Sequence, residues 1–365
     1  MGYRFSSFVI LEEFVLISYF FTKGMRMKKT AGVFSFYGLA FSQVAIATII
    51  VGYMELVFSH VGFLPTGSWQ FYVLHLLFLL PSLLLITPAG YFSDKYPKER
   101  VLKWTALLSL PALALFGLGV YMANLPLIFV GIALFFILQA FQSPAKNGYM
   151  KELVGVRDLA KASGILMIVF FSALVLSGGT IAILYESMYP EAKDFATQIG
   201  TLPLVGLVLF ALELFGVFCC LRLPSVGVYD ASLKFPWNRY FNLLFTRRKM
   251  AKIWVNRVLR QSIIGLSMFW VMIFLMVFVI QDLFGSGSLF NQDILANYAI
   301  IGTAVGLLAG IVFAMKMSKN FIETGLIPMG TGGAAILIFL IPFIARPYNA
   351  IAFALLGFCG GIYMI

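Results

Sequence analysis

Long apolar stretches alternate with short charged segments along most of the chain. Stretches free of Asp, Glu, Lys and Arg repeatedly reach about 20 residues, the length at which an α-helix crosses the roughly 30 Å hydrocarbon core of a bilayer. The charge-free run from Trp104 to Ala145 is too long for one helix, and Ala-Asn-Leu-Pro at 123–126 predicts a break within it. The predicted spans are Thr30–Met54, Gln70–Ser93, Trp104 to the break, the break to Ala145, Ala162–Tyr185, Leu202–Leu221, Gln261–Gln281, Ile294–Met315, Thr324–Ala345 and Tyr348–Ile365. Since open strands cannot satisfy their backbone in lipid, the expected fold class is all-α, a polytopic membrane protein.

Lysine and arginine concentrate in every second connection between these spans. The connection over residues 58–70 has neither, and the connections after the fifth and seventh spans are dominated by acidic residues. The positive-inside rule therefore predicts that the N-terminus is cytoplasmic. The basic clusters precede the first span (Lys23, Arg26, Lys28, Lys29) and follow the second (Lys95, Lys98, Arg100, Lys103), the fourth (Lys146, Lys151, Arg157, Lys161), the sixth (Arg247, Arg248, Lys249, Lys252, Arg257, Arg260) and the eighth (Lys316, Lys319).

Composition excludes several classes of protein. The 365 residues are 61% apolar and 11% charged, which leaves too little polar surface for a water-soluble globular protein. The net charge of +11 is explained by topology, so no nucleic-acid partner is expected. The three cysteines lie in apolar runs and there are two histidines, so we expect no disulfide, metal site, cofactor or catalytic set, and no enzyme activity.

The chain divides into four predicted regions. Residues 1–30 form an N-terminal cytoplasmic lead, 31–222 a six-helix half, 223–260 a basic cytoplasmic linker, and 261–365 an incomplete second half of four spans. The apolar segment at 8–21 is too short to span; it is an interfacial helix, a disordered lead or a product of an upstream start site. The linker segment at 237–260 mixes aromatic and basic residues. It is either an amphipathic helix on anionic lipid or an ordinary linker.

The connection between the second and third spans carries a motif, Gly-Tyr-Phe-Ser-Asp-Lys-Tyr-Pro-Lys-Glu-Arg at 90–100. It resembles the loop motif of the major facilitator superfamily, except that Pro97 replaces the usual glycine. The resemblance implies two six-helix halves that rock about a central site. It assigns gating roles to Gly90, Asp94, Lys95, Lys98 and Arg100. The glycine would allow close helix contact, and the aspartate would meet a helix N-terminus of the other half. The basic residues would bond carbonyls and carboxylates across the cytoplasmic seam. The alternative is a plain basic loop.

A second block narrows the resemblance. Gln-Ser-Pro-Ala-Lys-Asn-Gly-Tyr-Met-Lys-Glu-Leu at 142–153 is followed by Leu-Ala-Lys-Ala-Ser-Gly at 159–164. Together they resemble the bacterial lysophospholipid transporters. That resemblance implies an inner-membrane protein that moves lysophosphatidylethanolamine or lysophosphatidylglycerol to the cytoplasmic leaflet for reacylation. It also implies an adjacent or fused acyl-ACP synthetase/acyltransferase as partner.

A single-chain lipid needs a roomy apolar path with few polar anchors. The 38 Phe and 16 Met supply adaptable walls, although most of them face lipid or pack helices. Lys146 either binds a phosphate or only sets topology, and Glu213 is either a proton site or a structural, hydrogen-bonded glutamate. Gln43 stands where the family usually has an acid, and the seventh span has no basic residue to pair with it. The candidate substrate contacts are Gln43, Lys146, Glu213 and Trp270.

The superfamily fold has about twelve helices in two halves of six, and about ten spans are predicted here. This leads us to expect a truncated or split frame, or the front of a longer fusion protein. In the family, Asp94 meets the start of the eleventh helix, so we expect it to lack that partner. We also expect the small-residue face at Gly302, Gly306 and Gly310 to lack its full packing partners and the protein to be poorly stable.

Three functions remain open from the sequence. The first is transport of lysophospholipids by alternating access, with membrane lipids as surroundings and source of cargo. The second is transport of other amphipathic small molecules by a major facilitator protein. The third is a non-transporting membrane anchor for an acyltransferase.

Overall fold

A computed structural model of the chain describes residues 27–60, 69–188, 203–226, 230–235, 251, 254–284, 294–317, 325–344 and 348–364. The described residues are almost entirely helical and contain no β-strand. The helices are α1 (Met27–His60), α2 (Trp69–Lys95), α3 (Lys98–Tyr121), α4 (Leu125–Met188), α5 (Pro203–Leu221), α6 (Arg257–Phe284), α7 (Ile294–Met317), α8 (Leu326–Leu340) and α9 (Asn349–Met364), with a 3₁₀ turn at Ile341–Phe343.

The all-α prediction is confirmed, and each predicted span coincides with a helix or with one arm of α4. The break predicted at residues 123–126 separates α3 from α4. Ala123 takes a left-handed conformation with φ of 50°. The Asn124 side chain accepts a hydrogen bond from the Leu127 amide at 3.2 Å, which caps the next helix. A turn residue and a capping residue in sequence therefore end one span and begin the next.

The connection predicted between the fourth and fifth spans differs from a loop. Residues 125–188, labelled α4, are two helical arms that meet at a kink at Gly155, with φ 79° and ψ 173°. This is a conformation that residues with a side chain adopt only under strain. The basic residues from Lys146 to Lys161 are therefore carried on helix ends, because helical backbone bonds continue past the apolar run on both sides of the glycine.

Large apolar side chains face outward on these helices. Leu83, Ile336 and Phe339 are 69%, 63% and 72% exposed, whereas Gln43 and Glu213 are buried. This inversion of the pattern in soluble proteins is what a lipid-facing surface requires. Six described helical segments are long and apolar enough to cross a membrane by length and composition. The chain is a multi-pass membrane protein.

The described residues pack as two compact units. The first unit consists of the described residues within 1–50, 81–173 and 199–231. In it, α1 lies against α5, where Gly38 meets the Cys219 sulfur and Gly216 meets the Ser42 hydroxyl. Helix α3 also lies against α5, and a Cβ added to Gly117 would come 3.5 Å from the Gly206 Cα. Helix α5 is therefore packed against both α1 and α3.

The second unit consists of the described residues within 51–80, 174–198 and 232–365. Its tightest contact joins α7 to α9, because Gly302, Gly306 and Gly310 lie directly on the α9 backbone at Ala350, Ala354 and Phe358. The expectation that this glycine face lacks packing partners is wrong, because α9 fills it.

Other predictions fall on residues outside the described ranges. They concern the lead up to residue 26, the connection at 61–68 and most of the linker at 236–250. The predicted domain boundaries at residues 222 and 260 stay predictions, as does the number of helices in the complete fold.

Candidate functional site

The motif at 90–100 spans the end of α2 and the start of α3. Lys95 donates a hydrogen bond to the Tyr91 hydroxyl at 3.0 Å, and this bond raises the pKa of the Lys95 ammonium above its ordinary value. Asp94 and Arg100 are exposed. A Cβ added to Gly90 meets nothing within 4 Å among the described residues, so the expected close helix contact at this glycine is not found there.

Lys98 forms the central ion pair of this region. Its Nζ lies 2.5 Å from Oε1 of Glu152 on the first arm of α4, and the two side chains are 10% and 18% exposed. The Lys98 stem lies over Gly148, where an added Cβ would come 2.7 Å from the lysine Cε. Lys98 therefore bonds a carboxylate of its own unit. The predicted gating contacts across the cytoplasmic seam stay a prediction.

The segment that follows α5 is bound to the same end of the unit. We call residues 223–226 and 230 the linker strap. Its contacts come from α2, α3 and α4, so the ends of these helices and the exit of α5 are held together. The bonds are Tyr149 Oη to the Pro224 carbonyl (2.7 Å), Ser225 Oγ to Glu99 Oε1 (2.6 Å), Lys103 Nζ to the Leu223 carbonyl (3.5 Å) and the Asp230 amide to the Asp94 carbonyl (3.0 Å).

Several polar side chains are buried inside the first unit without hydrogen-bond partners. Gln43 is 2% exposed, Gln142 is 1% exposed and Glu213 is fully buried. Within the part of the chain that the structure describes, none of the amide or carboxyl atoms of these three side chains has a hydrogen-bond partner. Buried polar groups are normally bonded, and exceptions in a membrane span are frequently functional.

A polar face runs along the first arm of α4. Gln139, Gln142 and Lys146 follow each other at steps of three and four residues, which places them on one face of the helix. The Nε2 of Gln139 and both amide atoms of Gln142 lack partners, and Lys146 is half-buried. At 1.5 Å per residue the face is about 10 Å long. It offers amide groups and one cation within an otherwise apolar segment.

Trp270 belongs to the second unit. It lies on α6 and is half-buried, and its ring makes an edge-to-face contact with Phe269 at 6.0 Å. Phe269 in turn stacks on Tyr363 of α9 at 5.9 Å, and the Tyr363 hydroxyl donates to the Gly265 carbonyl. Phe269 therefore links the indole to α9.

Of the candidate residues, the structure thus places Gln43, Lys146 and Glu213 in the first unit and Trp270 in the second. Sequence reasoning missed Gln139 and Gln142 as site residues, although two glutamines three residues apart in a long charge-free run were a visible signal. It also missed Glu152 as the partner of Lys98, because the two are distant in sequence. Among the described residues no group of His, Cys, Asp and Glu is placed to hold a metal ion.

Comparison with known sequences finds a matching family and several relatives that share one name. The Major Facilitator Superfamily profile matches residues 30–365. The lysophospholipid transporter LplT of Photorhabdus laumondii is 25% identical over 351 residues, covering 94% of this chain and 78% of the relative. The protein of the same name from Cronobacter sakazakii is 25% identical over 345 residues, covering 90% of this chain and 80% of the relative.

Solved structures of the same fold are also similar. The Major Facilitator Superfamily transporter FucP superposes with a TM-score of 0.66 at 15% identity, covering 90% of this chain and 81% of that one. The proton:xylose symporter XylE gives a TM-score of 0.54 at 16% identity, covering 92% and 81%. With the sequence match and the lipid-facing helices, these likenesses lead to one conclusion: the chain belongs to the Major Facilitator Superfamily and is a multi-pass membrane transporter.

Proposed function

We propose that the protein transports lysophospholipids, with lysophosphatidylethanolamine and lysophosphatidylglycerol as cargo, to the cytoplasmic leaflet of a bacterial inner membrane. The observation that carries the proposal is the polar face of α4, Gln139, Gln142 and Lys146, within an apolar span. The similarity to proteins named lysophospholipid transporters over most of the chain supports it.

The chemistry of the face suits this cargo. The ammonium of Lys146 pairs with the phosphate as a point charge, since a half-buried cation attracts an anion more strongly than an exposed one does. The unpartnered amides of Gln139 and Gln142 donate to and accept from the glycerol hydroxyl and ester oxygens. The acyl chain occupies apolar surroundings, which cost it nothing to enter.

The orientation follows from the charge distribution. Lys95, Lys98 and Lys103 lie at the same end of the first unit as the linker strap, and the positive-inside rule places such an end in the cytoplasm. The N-terminus is then cytoplasmic as well. Transport proceeds by alternating access, with the gating set Gly90, Asp94, Lys95, Lys98 and Arg100 at the cytoplasmic end. The delivered lipid is reacylated by an acyl-ACP synthetase/acyltransferase.

The test is uptake of labelled lysophosphatidylethanolamine into spheroplasts that express the chain or its variants. Lys146→Ala should raise the half-saturating lipid concentration about 10-fold, the loss of one charged contact of about 1.5 kcal/mol. Lys151→Ala is the matched control, because Lys151 is a lysine of the same helical arm whose side chain is exposed. It should leave uptake unchanged.

Other results decide between the alternatives. If the two lysine variants reduce uptake equally, the polar face does not bind the headgroup. If uptake does not exceed that of spheroplasts without the protein, while amphipathic dyes are exported, the second hypothesis from the sequence replaces this one. If neither occurs but a downstream acyltransferase loses its membrane location without the chain, the anchor role replaces both.

A further inference from the structure

Glu213 stands apart from the other acidic groups of the first unit. Glu99 and Glu152 have bonding partners at the end of the unit, Ser225 and Lys98. Glu213 lies within the apolar α5 and is fully buried, and neither carboxyl oxygen has a hydrogen-bond partner among the described residues. The headgroup face described above lies on α4 and does not account for it.

The packing of α5 against α1 sets what surrounds this carboxyl on one side. Cys219 meets Gly38 and Gly216 meets Ser42, so the two helices run antiparallel. Glu213 lies about one turn from Gly216 on α5. Gln43 is the neighbour of Ser42 on α1, so it lies within about one helical turn of the depth of Glu213. Both are buried and both lack hydrogen-bond partners.

The packing against α3 sets the other side. Gly206 lies against Gly117, and Leu223, just beyond α5, receives a hydrogen bond from Lys103, so these helices are antiparallel too. Glu213 follows Gly206 by seven residues, two turns along the same face. By this register it lies within about one helical turn of Ser109. Ser109 is 1% exposed and donates its hydroxyl proton to the Thr105 carbonyl.

The helices that contact α5 bring no cation to this depth. The stretches 31–54 of α1 and 104–121 of α3 contain no Asp, Glu, Lys or Arg. The other titratable groups on these helices and on α5 lie elsewhere along them. They are Lys28, Lys29, Tyr37, Tyr53, Glu55 and His60 on α1, Lys98, Glu99, Arg100, Lys103 and Tyr121 on α3, and Cys219 and Cys220 on α5. Cys220, two turns from Glu213 on α5, interacts with it electrostatically.

An ionised carboxylate without a counter-ion or hydrogen bond is among the most costly groups to bury, and the neutral acid avoids most of that cost. We propose that Glu213 is a proton-binding site inside the first unit, and that it releases its proton only when α5 separates from α1 or α3. In the packed arrangement the carboxyl holds the proton. When the helices part, water reaches it, the O–H bond breaks, the proton passes to water and a hydrated carboxylate remains.

The experiment is infrared spectroscopy of the purified full chain in lipid, recorded as pH is raised. A buried protonated acid gives a carboxylic C=O stretch that is distinct from the carboxylate bands. We expect this band at neutral pH, and we expect Glu213→Gln to remove it, since glutamine has the same shape and no acid proton. Glu152→Gln, the same substitution at an acid paired with Lys98, is the matched control and should leave the band in place.

Glu213→Asp keeps the assay decisive if Glu213→Gln does not fold. The shorter acid should shift the band in frequency without removing it. The melting temperature supplies a second readout: it should fall for the wild type as pH rises, because deprotonation then favours separated or unfolded helices, and should stay flat for Glu213→Gln. A band that survives in Glu213→Gln, its absence from the wild type, or identical melting profiles for wild type and Glu213→Gln would each overturn the proposal. Neither readout requires knowledge of the cargo.

Discussion

The ion pair between Lys98 and Glu152 offers the sharpest test of the motif region. The pair joins the start of α3 to the first arm of α4, and its two atoms lie 2.5 Å apart. We propose the single variants Lys98→Met and Glu152→Gln and the double variant. Each single change removes one charge and leaves the other largely buried without its partner, whereas the double change leaves neither.

The expected loss in the free energy of unfolding follows from the geometry of the ion pair. At this distance and an effective dielectric of about 20, the Coulomb attraction is about 7 kcal/mol, most of which offsets the desolvation of the two groups. A charged hydrogen bond that is shielded from water contributes a net of about 1.5–3 kcal/mol. We therefore expect each single variant to lower the free energy of unfolding by about that amount. The coupling energy of the double-mutant cycle should fall in the same range.

The assay is reversible unfolding of the purified protein in detergent, followed by tryptophan fluorescence. Lys95→Met is the matched control, because Lys95 is a half-exposed neighbour that bonds only to the Tyr91 hydroxyl among the contacts described above. It should change stability by less than about 1 kcal/mol. Additive single effects, with a coupling energy below about 0.5 kcal/mol, would show that the two side chains do not act as a pair.

Three further predictions concern packing and backbone. Gly306→Val should abolish the monodisperse peak in detergent size-exclusion chromatography, because the added atoms would occupy the α9 backbone, whereas Gly332→Val, in open space, should leave it intact. Gly155→Ala should lower the melting temperature through about 1–3 kcal/mol of backbone strain at φ 79°, and Gly179→Ala, in open space within the same element, should not lower it. Tyr149→Phe should speed tryptic cleavage after Arg222, at the start of the linker strap, since it removes the hydrogen bond to the Pro224 carbonyl, worth about 1 kcal/mol.

Much of the fold was readable from the sequence because bilayer thickness imposes a length on apolar runs. Charge-free stretches located the helices, and Asn124 with its neighbours located the turn between α3 and α4. The extension of both arms of α4 past the apolar runs, up to the kink at Gly155, could not be predicted from the sequence. Lysines mark the edge of the hydrocarbon region, but a helix can extend past that edge and carry them with it. In α4 the helical backbone is interrupted at Gly155.

The candidate site could be predicted only in part, because contacts between helices depend on tertiary packing. The resemblance to a loop motif singled out Lys98, but its partner Glu152 comes from another helix, and pairing across helices is set by tertiary packing. Glu213 was visible as an acid within an apolar run. Its complete burial and its lack of partners depend on how α1 and α3 close over α5, which no periodicity in α5 reports.

The central claim is that this chain moves lysophospholipid across a bilayer. The most direct measurement uses proteoliposomes loaded with labelled lysophosphatidylethanolamine in one leaflet, with the time course of its appearance in the other leaflet compared with protein-free vesicles. The account predicts protein-dependent, saturable movement that Lys146→Ala weakens and Lys151→Ala does not. Movement at the protein-free rate, by protein that is monodisperse and melts cooperatively, would contradict it.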